Sequence, residues 1–263
     1  MKIPFAKYQG TGNDFVILDN RAGRFSGLDK SQVEFLCNRR FGIGADGLIM
    51  LEEKSGYDFD MKYFNSDGNV SSMCGNGGRC ITAFAKSLHL VEEKARFTAI
   101  DGDHEAIIIS LNPFIVKLKM QDVKGIENVG DDVFLNTGSP HYVRLNGDLK
   151  KLDVVHEARK IRYNDRFSDD GTNVNFVHPQ LPLLEVRSYE RGVEDETLSC
   201  GTGVTASVLA AVEKGIIKEK RGVCEVKSMG GMLKVYYEMS ATGFENVWLE
   251  GEAKFVYTGE IEI

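Results

Sequence analysis

Met73-Cys74-Gly75-Asn76-Gly77-Gly78 and Ser199-Cys200-Gly201-Thr202-Gly203-Val204 are two copies of one local pattern, in which a cysteine precedes a glycine-rich segment. The two cysteines are 200 − 74 = 126 positions apart, about half of the 263-residue chain. A helical pattern follows each copy and predicts helices at 77–88 and 203–214. One thiol at the same point of each half predicts a duplicated chain with two acid/base groups that face a single site.

Other segments repeat in the same order at a similar offset, as a duplication requires. Residues 8–16 resemble residues 135–143, which aligns Asp14 with His141. The alternating run 59–64, which ends at Asn65, matches 184–189, which ends at Glu190. Amphipathic helices are predicted at 29–39 and 153–161, on the outside of their sheets. The small drift of the offsets favours tandem duplication over a chance likeness of short glycine-rich motifs.

Strand patterns outnumber helical ones along the chain. Ten alternating or β-branched runs are predicted to be strands of sheets or barrels: 15–18, 59–63, 104–110, 115–120, 142–145, 174–177, 184–189, 232–239, 246–250 and 253–257. We therefore expect the α/β (α+β) class with two pseudo-symmetric domains. The first domain is predicted to span 1–117 and to be completed by about 251–263, and the second to span 118–250.

Composition agrees with two packed domains and disfavours several classes of partner. The chain is 42% hydrophobic and 27% charged, and its formal charge of −7 argues against a nucleic acid partner. Neither an apolar leader nor a stretch of about 18 apolar residues is present, so we expect a cytoplasmic protein without a membrane partner. Five cysteines are too few and too irregularly spaced for a disulfide framework, and we expect them to be reduced.

The chemistry is predicted where each glycine-rich segment meets its helix. A helix N-terminus has unpaired N–H groups and a partial positive charge, so it attracts a carboxylate and favours the thiolate form of a cysteine. Glycines at 75, 77, 78, 201 and 203 remove side chains that would keep a ligand from these amides. A cysteine with an ordinary pKa of about 8.5 needs only a modest shift to exchange protons near neutral pH.

Two equivalent thiols suit the inversion of a carbon stereocentre. If the domains face each other across a cleft, one thiolate can remove a proton from one face while the opposite thiol delivers another. The sequence contains no complete nucleotide-binding glycine loop and no zinc-ligand spacing, so we expect no cofactor and no metal. Helix dipoles and amides would then stabilise the carbanion through the carboxylate of the small-molecule substrate.

Eight motifs, spread in order over nearly the whole chain, resemble the diaminopimelate epimerase family. They are Gly12-Asn13-Asp14-Phe15, Arg40-Phe41-Gly42-Ile43-Gly44-Ala45-Asp46-Gly47, Asn65-Ser66-Asp67-Gly68, Met73-Cys74-Gly75-Asn76-Gly77, Pro140-His141, Thr172-Asn173-Val174, Glu190-Arg191-Gly192 and Cys200-Gly201-Thr202-Gly203. The resemblance implies interconversion of LL- and meso-2,6-diaminopimelate without pyridoxal phosphate, in lysine and peptidoglycan precursor synthesis. It also implies a homodimer, and two domains whose mainly antiparallel sheets each wrap around a central helix, with the active site in the interdomain cleft.

The same resemblance assigns roles residue by residue. Cys74 and Cys200 would be the acid/base pair, and the amides of Gly75, Asn76, Gly201 and Thr202 would hold the reacting carboxylate. His141 and Glu190 would tune the protonation of the thiols. The distal, zwitterionic end of the substrate would be recognised by residues that line the cleft: Asn13, Asn65, Ser139, Asn173, Glu190 and Arg191.

Two residues and one segment depart from the family pattern. These departures concern the substrate specificity more than the type of reaction. Ser139 stands where family members commonly carry asparagine, and Gly47 where they commonly carry glutamine. The segment from Glu190 to Cys200 is one residue longer than usual, with Glu194 and Asp195 in place of a glycine.

The remaining chemical side chains have ordinary structural interpretations. Cys37, Cys80 and Cys224 are expected to be buried structural thiols. The spacing of Cys74 and Cys80 could suggest a metal site or a redox pair, but this role is disfavoured because the second repeat has Ala206 at the position of Cys80. Arg39, Arg40 and Arg79 are predicted to be surface or ion-paired groups. Surface or core placement is favoured for the other histidines, His89, His104, His156 and His178.

Two other functions stay open at this point. Proline or hydroxyproline racemisation would keep two cysteines but has little use for the Glu190–Arg191 pair. A thiol switch, with a reversible disulfide between Cys74 and Cys200, predicts dithiol turnover and no exchange of an α-proton.

Overall fold

The computed structural model describes residues 1–71, 73–145 and 147–263, and these form two compact units. Unit 1 comprises Met1–Leu118 with Gly251–Ile263, and unit 2 comprises Lys119–Glu250. The mixture of strands and helices confirms the predicted α/β class. Within the described ranges, no helix has both the length and the apolar character that a membrane crossing requires.

The elements are numbered in chain order. The strands are β1 (Lys2–Gly10), β2 (Asn13–Asp19), β3 (Gly47–Glu52), β4 (Phe59–Asn65), β5 (Lys94–Ala99), β6 (Gly102–Leu111), β7 (Phe114–Lys119), β8 (Val123–Lys124), β9 (Glu127–Val129), β10 (Asp132–Asn136), β11 (Pro140–Leu145), β12 (Asn173–Gln180), β13 (Leu183–Glu190), β14 (Asp195–Thr197), β15 (Arg221–Ser228), β16 (Gly231–Ser240), β17 (Gly243–Glu252) and β18 (Lys254–Glu262). The helices are α1 (Lys30–Cys37), α2 (Gly75–Ser87), α3 (Val154–Arg162) and α4 (Gly201–Glu213).

Unit 1 is built on a mainly antiparallel sheet. β1 pairs antiparallel with both β18 and β2. The next pairs alternate in direction: β2 and β3 are parallel, β3 and β4 antiparallel, β4 and β5 parallel, and β5 and β6 antiparallel. The two parallel pairs are the ones joined through helices, because α1 connects β2 to β3 and α2 connects β4 to β5.

Unit 2 repeats this topology. β10 and β11 are antiparallel, β11 and β12 parallel, β12 and β13 antiparallel, β13 and β15 parallel, and β15 and β16 antiparallel. Helix α3 lies between β11 and β12 in the chain, and α4 between β13 and β15, as α1 and α2 do in unit 1. The equal sequence of pair directions and helices confirms the predicted internal duplication.

Each unit has one nearly buried helix at its centre. Residues 75–85 of α2 are all buried, and α2 contacts β1, β2, β3, β4, β6 and β18. Helix α4 contacts β10, β11, β12, β13, β15 and β16. Both helices begin directly after their cysteines, two residues before the predicted starts at 77 and 203. The surrounding sheet stabilises Gly75 and Gly201 in helical conformation despite the low helix propensity of glycine.

The other two helices are amphipathic and cover one face of each sheet. Asp29 caps α1 by accepting a hydrogen bond from the Gln32 N–H at 2.9 Å, and Asp153 caps α3 by accepting from the His156 N–H at 3.0 Å. The buried side of α1 joins an apolar cluster with β1, β2 and β3, and that of α3 joins a second cluster with β12 and β13. Both helices therefore stabilise the sheets by burial of apolar area.

The strand registers correct one equivalence drawn from the sequence. In unit 1, Phe15 on β2 lies opposite Gly47 on β3, whereas in unit 2 His141 on β11 lies opposite Asn173 on β12. Both pairs differ by 126 positions, the offset of the two cysteines. The same offset matches Val16 with Tyr142, and these two lie in the apolar clusters packed on α1 and on α3, so they occupy the same face of their sheets. His141 is therefore equivalent to Phe15, and the predicted alignment of His141 with Asp14 is wrong by one residue. Because side chains alternate along a strand, that single residue decides which face His141 occupies.

Candidate active site

Cys74 is the residue immediately before α2. Its backbone is extended, with φ −95° and ψ 130°, and its carbonyl accepts a hydrogen bond from the Gly78 N–H at 2.7 Å. The Cys74 thiol donates to Oδ1 of Asn13 at 3.8 Å. The Cys74 side chain is partly exposed, so unit 1 presents a thiol at a helix start beside a predicted substrate-binding amide.

An ion network behind Asn13 fixes its side chain. Asn13 Nδ2 donates to Oδ2 of Asp46 at 3.1 Å, so its Oδ1 is directed to the thiol. Arg39 bridges Asp46 and Asp14 at 2.7 and 2.6 Å, and Lys7 contacts Asp14 at 2.7 Å. Burial alone would raise the pKa of Asp14, but hydrogen bonds from Arg39 and Lys7 bring it down to about 2. Asp46, which the sequence did not single out, is therefore a positioning group for Asn13.

The first turn of α2 contains a buried cation. Arg79 is 0% exposed, and its Nη2 donates to Oδ1 of Asn76 at 2.9 Å while its Nη1 donates to the Gly75 carbonyl at 3.2 Å. The prediction that Arg79 is a surface or ion-paired group is wrong, because no carboxylate of the described chain forms an ion pair with it. Sequence reasoning missed this residue, since a lone arginine in a motif does not show which atoms it meets.

Cys200 holds the same position before α4. Its φ is −108° and its ψ 111°, and its carbonyl accepts from the Val204 N–H at 2.8 Å. The Cys200 thiol is 3.4 Å from the Thr202 hydroxyl and is only 8% exposed. The Thr137 hydroxyl donates to the Thr202 carbonyl at 2.9 Å, which ties the start of α4 to the strand end of β10. Both predicted thiols thus begin a buried glycine-started helix.

Close packing under α4 depends on a glycine. A Cβ atom on Gly203 would lie 2.2 Å from Oδ1 of Asn175, which no side chain could tolerate without movement. At the equivalent Gly77 of α2, a Cβ would meet Met61 Cε at 3.1 Å and Ile49 Cδ1 at 3.2 Å. The requirement for glycine is therefore stricter in unit 2.

A buried polar chain lies next to Gly203. Ser188 donates to Oδ1 of Asn175 at 2.8 Å, and Asn175 Nδ2 lies 2.9 Å from Nδ1 of His141. Because the amide nitrogen can only donate, Nδ1 accepts and the proton of a neutral imidazole is on Nε2. Burial, assisted by the charge of Arg191, lowers the pKa of His141 to about 3, so the ring is neutral. Its Nε2 is buried and has no hydrogen-bond partner among the described residues.

The structure brings three predicted binding residues together in unit 2. Asn173 Nδ2 donates to Ser139 Oγ at 2.8 Å, and its Oδ1 accepts from the backbone N–H of Arg191 at 2.9 Å. Arg191 Nη1 donates to the Asp170 carbonyl at 2.6 Å, and the neighbouring Glu190 carboxylate accepts from the Thr197 hydroxyl. These contacts hold the Glu190–Arg191 pair on a fixed strand end.

The longer segment after Arg191 is anchored by Glu194. Its backbone has a positive φ of 59°, and its carboxylate accepts from Tyr189 at 2.8 Å, from Tyr163 at 2.9 Å and from the Gly192 N–H at 3.1 Å. Arg162 adds an ion pair at 3.3 Å. The residue that lengthens this segment is therefore part of its internal support.

The other predicted residues lie as follows. Asn65 ends β4, is exposed, and receives a hydrogen bond at its carbonyl from the Gly68 N–H at 2.9 Å. Cys37, Cys80 and Cys224 are buried free thiols, as expected, and burial raises their pKa values to about 12, 12 and 11. No cluster of three or more His, Cys, Asp or Glu side chains suited to a metal ion occurs within residues 1–71, 73–145 and 147–263.

Comparison with known proteins places this geometry in a family. The family model described as Diaminopimelate epimerase matches residues 5–123 and 133–256, one match in each half. The chain belongs to the diaminopimelate epimerase family. It is accordingly an isomerase of the epimerase class.

Relatives in the diaminopimelate epimerase family match almost end to end. The diaminopimelate epimerase of Flavobacterium psychrophilum is 48% identical over 252 residues, which cover 95% of this chain and 97% of the relative. The diaminopimelate epimerase of Chlorobaculum tepidum is 40% identical over 262 residues, with coverages of 97% and 99%. The chain thus has the length and order of these relatives.

Solved structures outside the diaminopimelate epimerase family share the fold. A phenazine biosynthesis protein of the PhzF family from Bacillus anthracis superposes with a TM-score of 0.76 at 14% identity and covers 100% of both chains. A probable proline racemase from Agrobacterium radiobacter superposes with a TM-score of 0.69 at 12% identity, covering 99% of this chain and 93% of that one. At such identities the likeness concerns the fold alone.

Gly47, which is expected from the sequence to differ from the family pattern, has close neighbours in the fold. A Cβ on Gly47 would lie 2.5 Å from Tyr63 Cε2 and 2.6 Å from the Phe64 carbonyl. The Tyr63 ring therefore occupies the space that a side chain at position 47 would need. At the other departure, the Ser139 hydroxyl takes a hydrogen bond from Asn173 that positions the Asn173 amide.

Proposed function

We propose that the protein interconverts LL- and meso-2,6-diaminopimelate without a cofactor, by a two-base mechanism that uses Cys74 and Cys200. The observation that carries this proposal is the repeated placement of a cysteine before a buried, glycine-started helix in two units of equal topology. Membership in the diaminopimelate epimerase family supports the choice of substrate. In cells the reaction would supply meso-diaminopimelate for lysine and peptidoglycan precursor synthesis, and we expect a cytoplasmic homodimer.

The chemical step moves one proton off the α-carbon and another onto it. A thiolate removes the α-proton from one face, and the second cysteine, as a thiol, delivers a proton to the opposite face. The first cysteine then carries the proton and the second is a thiolate, so the charge is conserved and the pair is set for the reverse direction. Inversion follows because the proton leaves and arrives on opposite faces.

Stabilisation of the carbanion is assigned to the two helix starts. Removal of the α-proton places negative charge on the substrate carboxylate, and N–H groups in the first turn of a helix favour such charge. The amides of Gly75, Asn76, Gly201 and Thr202 are the donors that this mechanism requires. The absence of a Cβ at Gly75 and Gly201 allows a carboxylate to approach them closely.

Recognition of the distal end needs both charges, because that end carries an ammonium and a carboxylate. Arg191 supplies the cation, and Glu190 with the amide oxygens of Asn13, Asn65 and Asn173 supplies acceptors. Ser139 positions Asn173 in this scheme. The neutral His141 offers an Nε2–H donor and, with Glu190, would adjust the protonation of the thiols.

The decisive experiment follows exchange at the α-carbon. Reduced protein is incubated with LL-diaminopimelate in D₂O, and deuterium incorporation and stereochemistry are measured by mass spectrometry and NMR. We expect deuterium at the inverted α-carbon of meso-diaminopimelate. Absence of exchange in the folded, reduced protein would falsify the proposal, and exchange on L-proline instead would support the racemase alternative.

Variants test the two-base assignment separately. Cys74→Ala and Cys200→Ala should each abolish epimerisation, because each removes one of the two proton carriers. Cys37→Ala is the matched control, since Cys37 is buried at 3% exposure and its thiol has a high pKa of about 12. Substantial epimerisation by either of the first two variants would contradict the mechanism.

A further inference from the structure

Three polar side chains are buried together beside the first turn of α4. His141, Asn175 and Ser188 are 0%, 0% and 3% exposed. Ser188 donates to Asn175 Oδ1 at 2.8 Å, and Asn175 Nδ2 lies 2.9 Å from His141 Nδ1. In unit 1 the positions equivalent to His141 and Asn175 hold Phe15 and Ile49, at the offset of 126. The fold therefore does not require polar groups there, and their burial costs free energy that apolar residues avoid.

The orientation of the Asn175 amide sets the direction of these hydrogen bonds. The Ser188 hydroxyl can donate or accept, so it does not decide the orientation alone. Oδ1 is the amide atom that lies against the start of α4, because a Cβ on Gly203 would be 2.2 Å from it. A helix start carries a partial positive charge and N–H groups without carbonyl partners in the helix, so it favours an oxygen over an NH₂ group. Oδ1 therefore faces α4 and Ser188, and Nδ2 faces the imidazole.

Only one form of a neutral imidazole fits this amide. Asn175 Nδ2 can only donate, so His141 Nδ1 must accept and is unprotonated. The proton of the ring is then on Nε2, which is buried and has no hydrogen-bond partner in the part of the chain that the structure describes. Among these residues no carboxylate forms an ion pair with the ring. Burial also lowers the pKa of His141 to about 3, so the ring does not take a second proton at neutral pH.

An imidazole in this state is suited to one task. Its Nδ1 lone pair is engaged by Asn175, and its Nε2 already carries a proton, so neither nitrogen is available as a base. The Nε2–H group can still donate a hydrogen bond. A buried donor without an acceptor is costly, and a donor of fixed position stabilises negative charge that develops in a reaction without first having to reorient.

We propose that Asn175 is a positioning residue that holds the proton of His141 on Nε2, so that His141 is a fixed hydrogen-bond donor to negative charge in the site and carries no proton in the reaction. Asn175 acts only through His141 and need not touch the substrate. The use of this donor in the reaction rests on the proposed function, whereas the location of the ring proton does not.

The first measurement locates the ring proton by NMR. Full-length, reduced protein labelled with ¹⁵N-histidine is studied without substrate, and His141→Gln identifies the His141 signals by their loss. A protonated and an unprotonated ring nitrogen differ strongly in ¹⁵N shift, and couplings to the ring C–H protons distinguish Nδ1 from Nε2. We expect Nδ1 to be unprotonated and Nε2 protonated at neutral pH. A proton on Nδ1, or a mixture of both tautomers, in the unmodified protein would overturn the inference.

Two substitutions of Asn175 test its control of the tautomer. Asn175→Asp places a group of similar size that can only accept, so Nδ1 should become protonated. Asn175→Ile removes the donor without adding a charge, and both tautomers should then be populated. Circular dichroism checks that each variant is folded. An unprotonated Nδ1 in folded Asn175→Asp, or an unchanged tautomer in folded Asn175→Ile, would contradict the role of Asn175.

Steady-state kinetics with diaminopimelate tests the use of the donor. Both Asn175 variants should lower kcat by about tenfold or more, with a smaller change in KM, because a fixed donor to developing charge is lost. The uncharged Asn175→Ile shows whether the tautomer, rather than the added carboxylate, is the cause. His141→Gln keeps an N–H donor near the place of Nε2 but cannot carry a proton, so it should retain more activity than His141→Leu.

Two kinetic results would overturn the inference. They are an unchanged kcat in an Asn175 variant whose tautomer has changed, and equal losses in His141→Gln and His141→Leu, as a proton carrier would show. If Asn175→Asp does not fold, the unmodified protein and Asn175→Ile still decide. Absence of α-proton exchange in the unmodified protein would refute the proposed function and leave the NMR result for the tautomer unaffected.

Discussion

The sheet positions beneath the two helix starts that follow Cys74 and Cys200 are equivalent in geometry and opposite in chemistry. Unit 1 places Phe15, Ile49 and Tyr63 there, with the rings of Phe15 and Tyr63 6.0 Å apart. Unit 2 places His141, Asn175 and Ser188 at the matching positions, and Asn175 faces Ser188 across the strands as Ile49 faces Tyr63. We refer to these sets as the apolar floor and the polar floor.

The difference shows that one fold can place a buried polar group beside a helix start from either of two layers, the helix or the sheet. Above the apolar floor the polar group is on the helix, as Arg79. In unit 2 the helix position equivalent to Arg79 is Thr205, and the strands of the polar floor supply a neutral imidazole donor. The buried polar group beside the helix start is therefore Arg79 on the helix in unit 1 and His141 on the sheet in unit 2.

The largest loss of folding stability is expected when one polar residue of the polar floor is replaced by an apolar one. Asn175→Ile introduces the residue of the equivalent position 49 and leaves both His141 Nδ1 and the Ser188 hydroxyl without their partner. We expect the free energy of unfolding in urea to fall by about 2–5 kcal/mol, because buried polar groups lose their hydrogen bonds.

Two controls sharpen this prediction. Ile49→Val in the apolar floor should cost only about 0.5–1.5 kcal/mol, since it removes one methylene group. The double variant Asn175→Ile/Ser188→Ala should be no less stable than Asn175→Ile alone, because the unpaired hydroxyl has been removed. Equal losses for Asn175→Ile and Ile49→Val would mean that the two floors do not differ in the way described.

A smaller loss of stability is expected from replacing the equivalent helix glycines, Gly77 of α2 and Gly203 of α4, by alanine. Gly203→Ala puts a methyl group against Asn175 Oδ1 at 2.2 Å, whereas Gly77→Ala meets flexible side-chain ends at 3.1 Å or more. Alanine gains up to about 1 kcal/mol over glycine within a helix, which offsets the mild contact in α2 but not the overlap in α4. We expect Gly203→Ala to lower stability by about 1–3 kcal/mol and Gly77→Ala to change it by less than about 1 kcal/mol. Thermal unfolding of both variants checks the order, and the reverse order would contradict it.

The pH dependence of stability should separate the units. His141 has a folded pKa of about 3 and an unfolded value of 6.5, so between these values the unfolded state binds a proton that the folded state does not. Stability contributed by unit 2 therefore falls as pH drops below about 6.5, by at most about 1.4 kcal/mol per pH unit for this group. Asp14, with a folded pKa of about 2 and a reference value of 3.8, adds a loss that begins only as pH falls through about 4.

Substitution of His141 tests that assignment. His141→Gln should reduce the slope of stability against pH between about 6.5 and 4.5, and Asp14→Asn should reduce it only below about 4. Urea unfolding at a series of pH values measures both slopes. An unchanged slope in the upper window for a folded His141→Gln would contradict the role of the buried imidazole.

The smallest effect is expected on the kinetic constants, from a change in the segment between Glu190 and Cys200. Glu194→Gly keeps the positive φ without strain and removes the contacts to Tyr163, Tyr189 and Arg162. Because these contacts support the Glu190–Arg191 pair, we expect KM for diaminopimelate to rise a few-fold while kcat changes little. Steady-state kinetics separates the two constants, and a loss confined to kcat would argue against this supporting role.

Much of the fold could be predicted from patterns that the core imposes. Alternating runs located β4, β6, β12 and β13, and the two cysteine motifs located α2 and α4, because burial dictates both periods. Strand β3 was missed since its residues are buried in a continuous apolar run, which shows no alternation. The helix starts were predicted two residues late because the packing that holds Gly75 and Gly201 in helical conformation is tertiary and does not show in the local pattern.

The site could be predicted only where a residue's role follows from its local motif. Both cysteines were found because each directly precedes the glycine-rich helix start beside which it lies, so the whole motif is visible in the local sequence. Arg79 and Asn175 have contacts far away in the sequence, with Thr11 and the Glu252 carbonyl for Arg79 and with His141 for Asn175. The sequence does not show these contacts, nor that Arg79 has no ion pair with a carboxylate of the described chain. The one-residue error for His141 had the same origin, since strand register is set by tertiary pairing.

The exchange of Arg79 for Thr205 also bears on how the repeat can evolve. Two copies of a sequence within one gene are exposed to recombination that makes them identical again. A chain made of two first halves would carry Arg79 twice and would lack His141. A chain made of two second halves would carry His141 twice and would lack Arg79. Homogenised offspring would thus lose one of the two polar groups, and selection against them would keep the halves distinct.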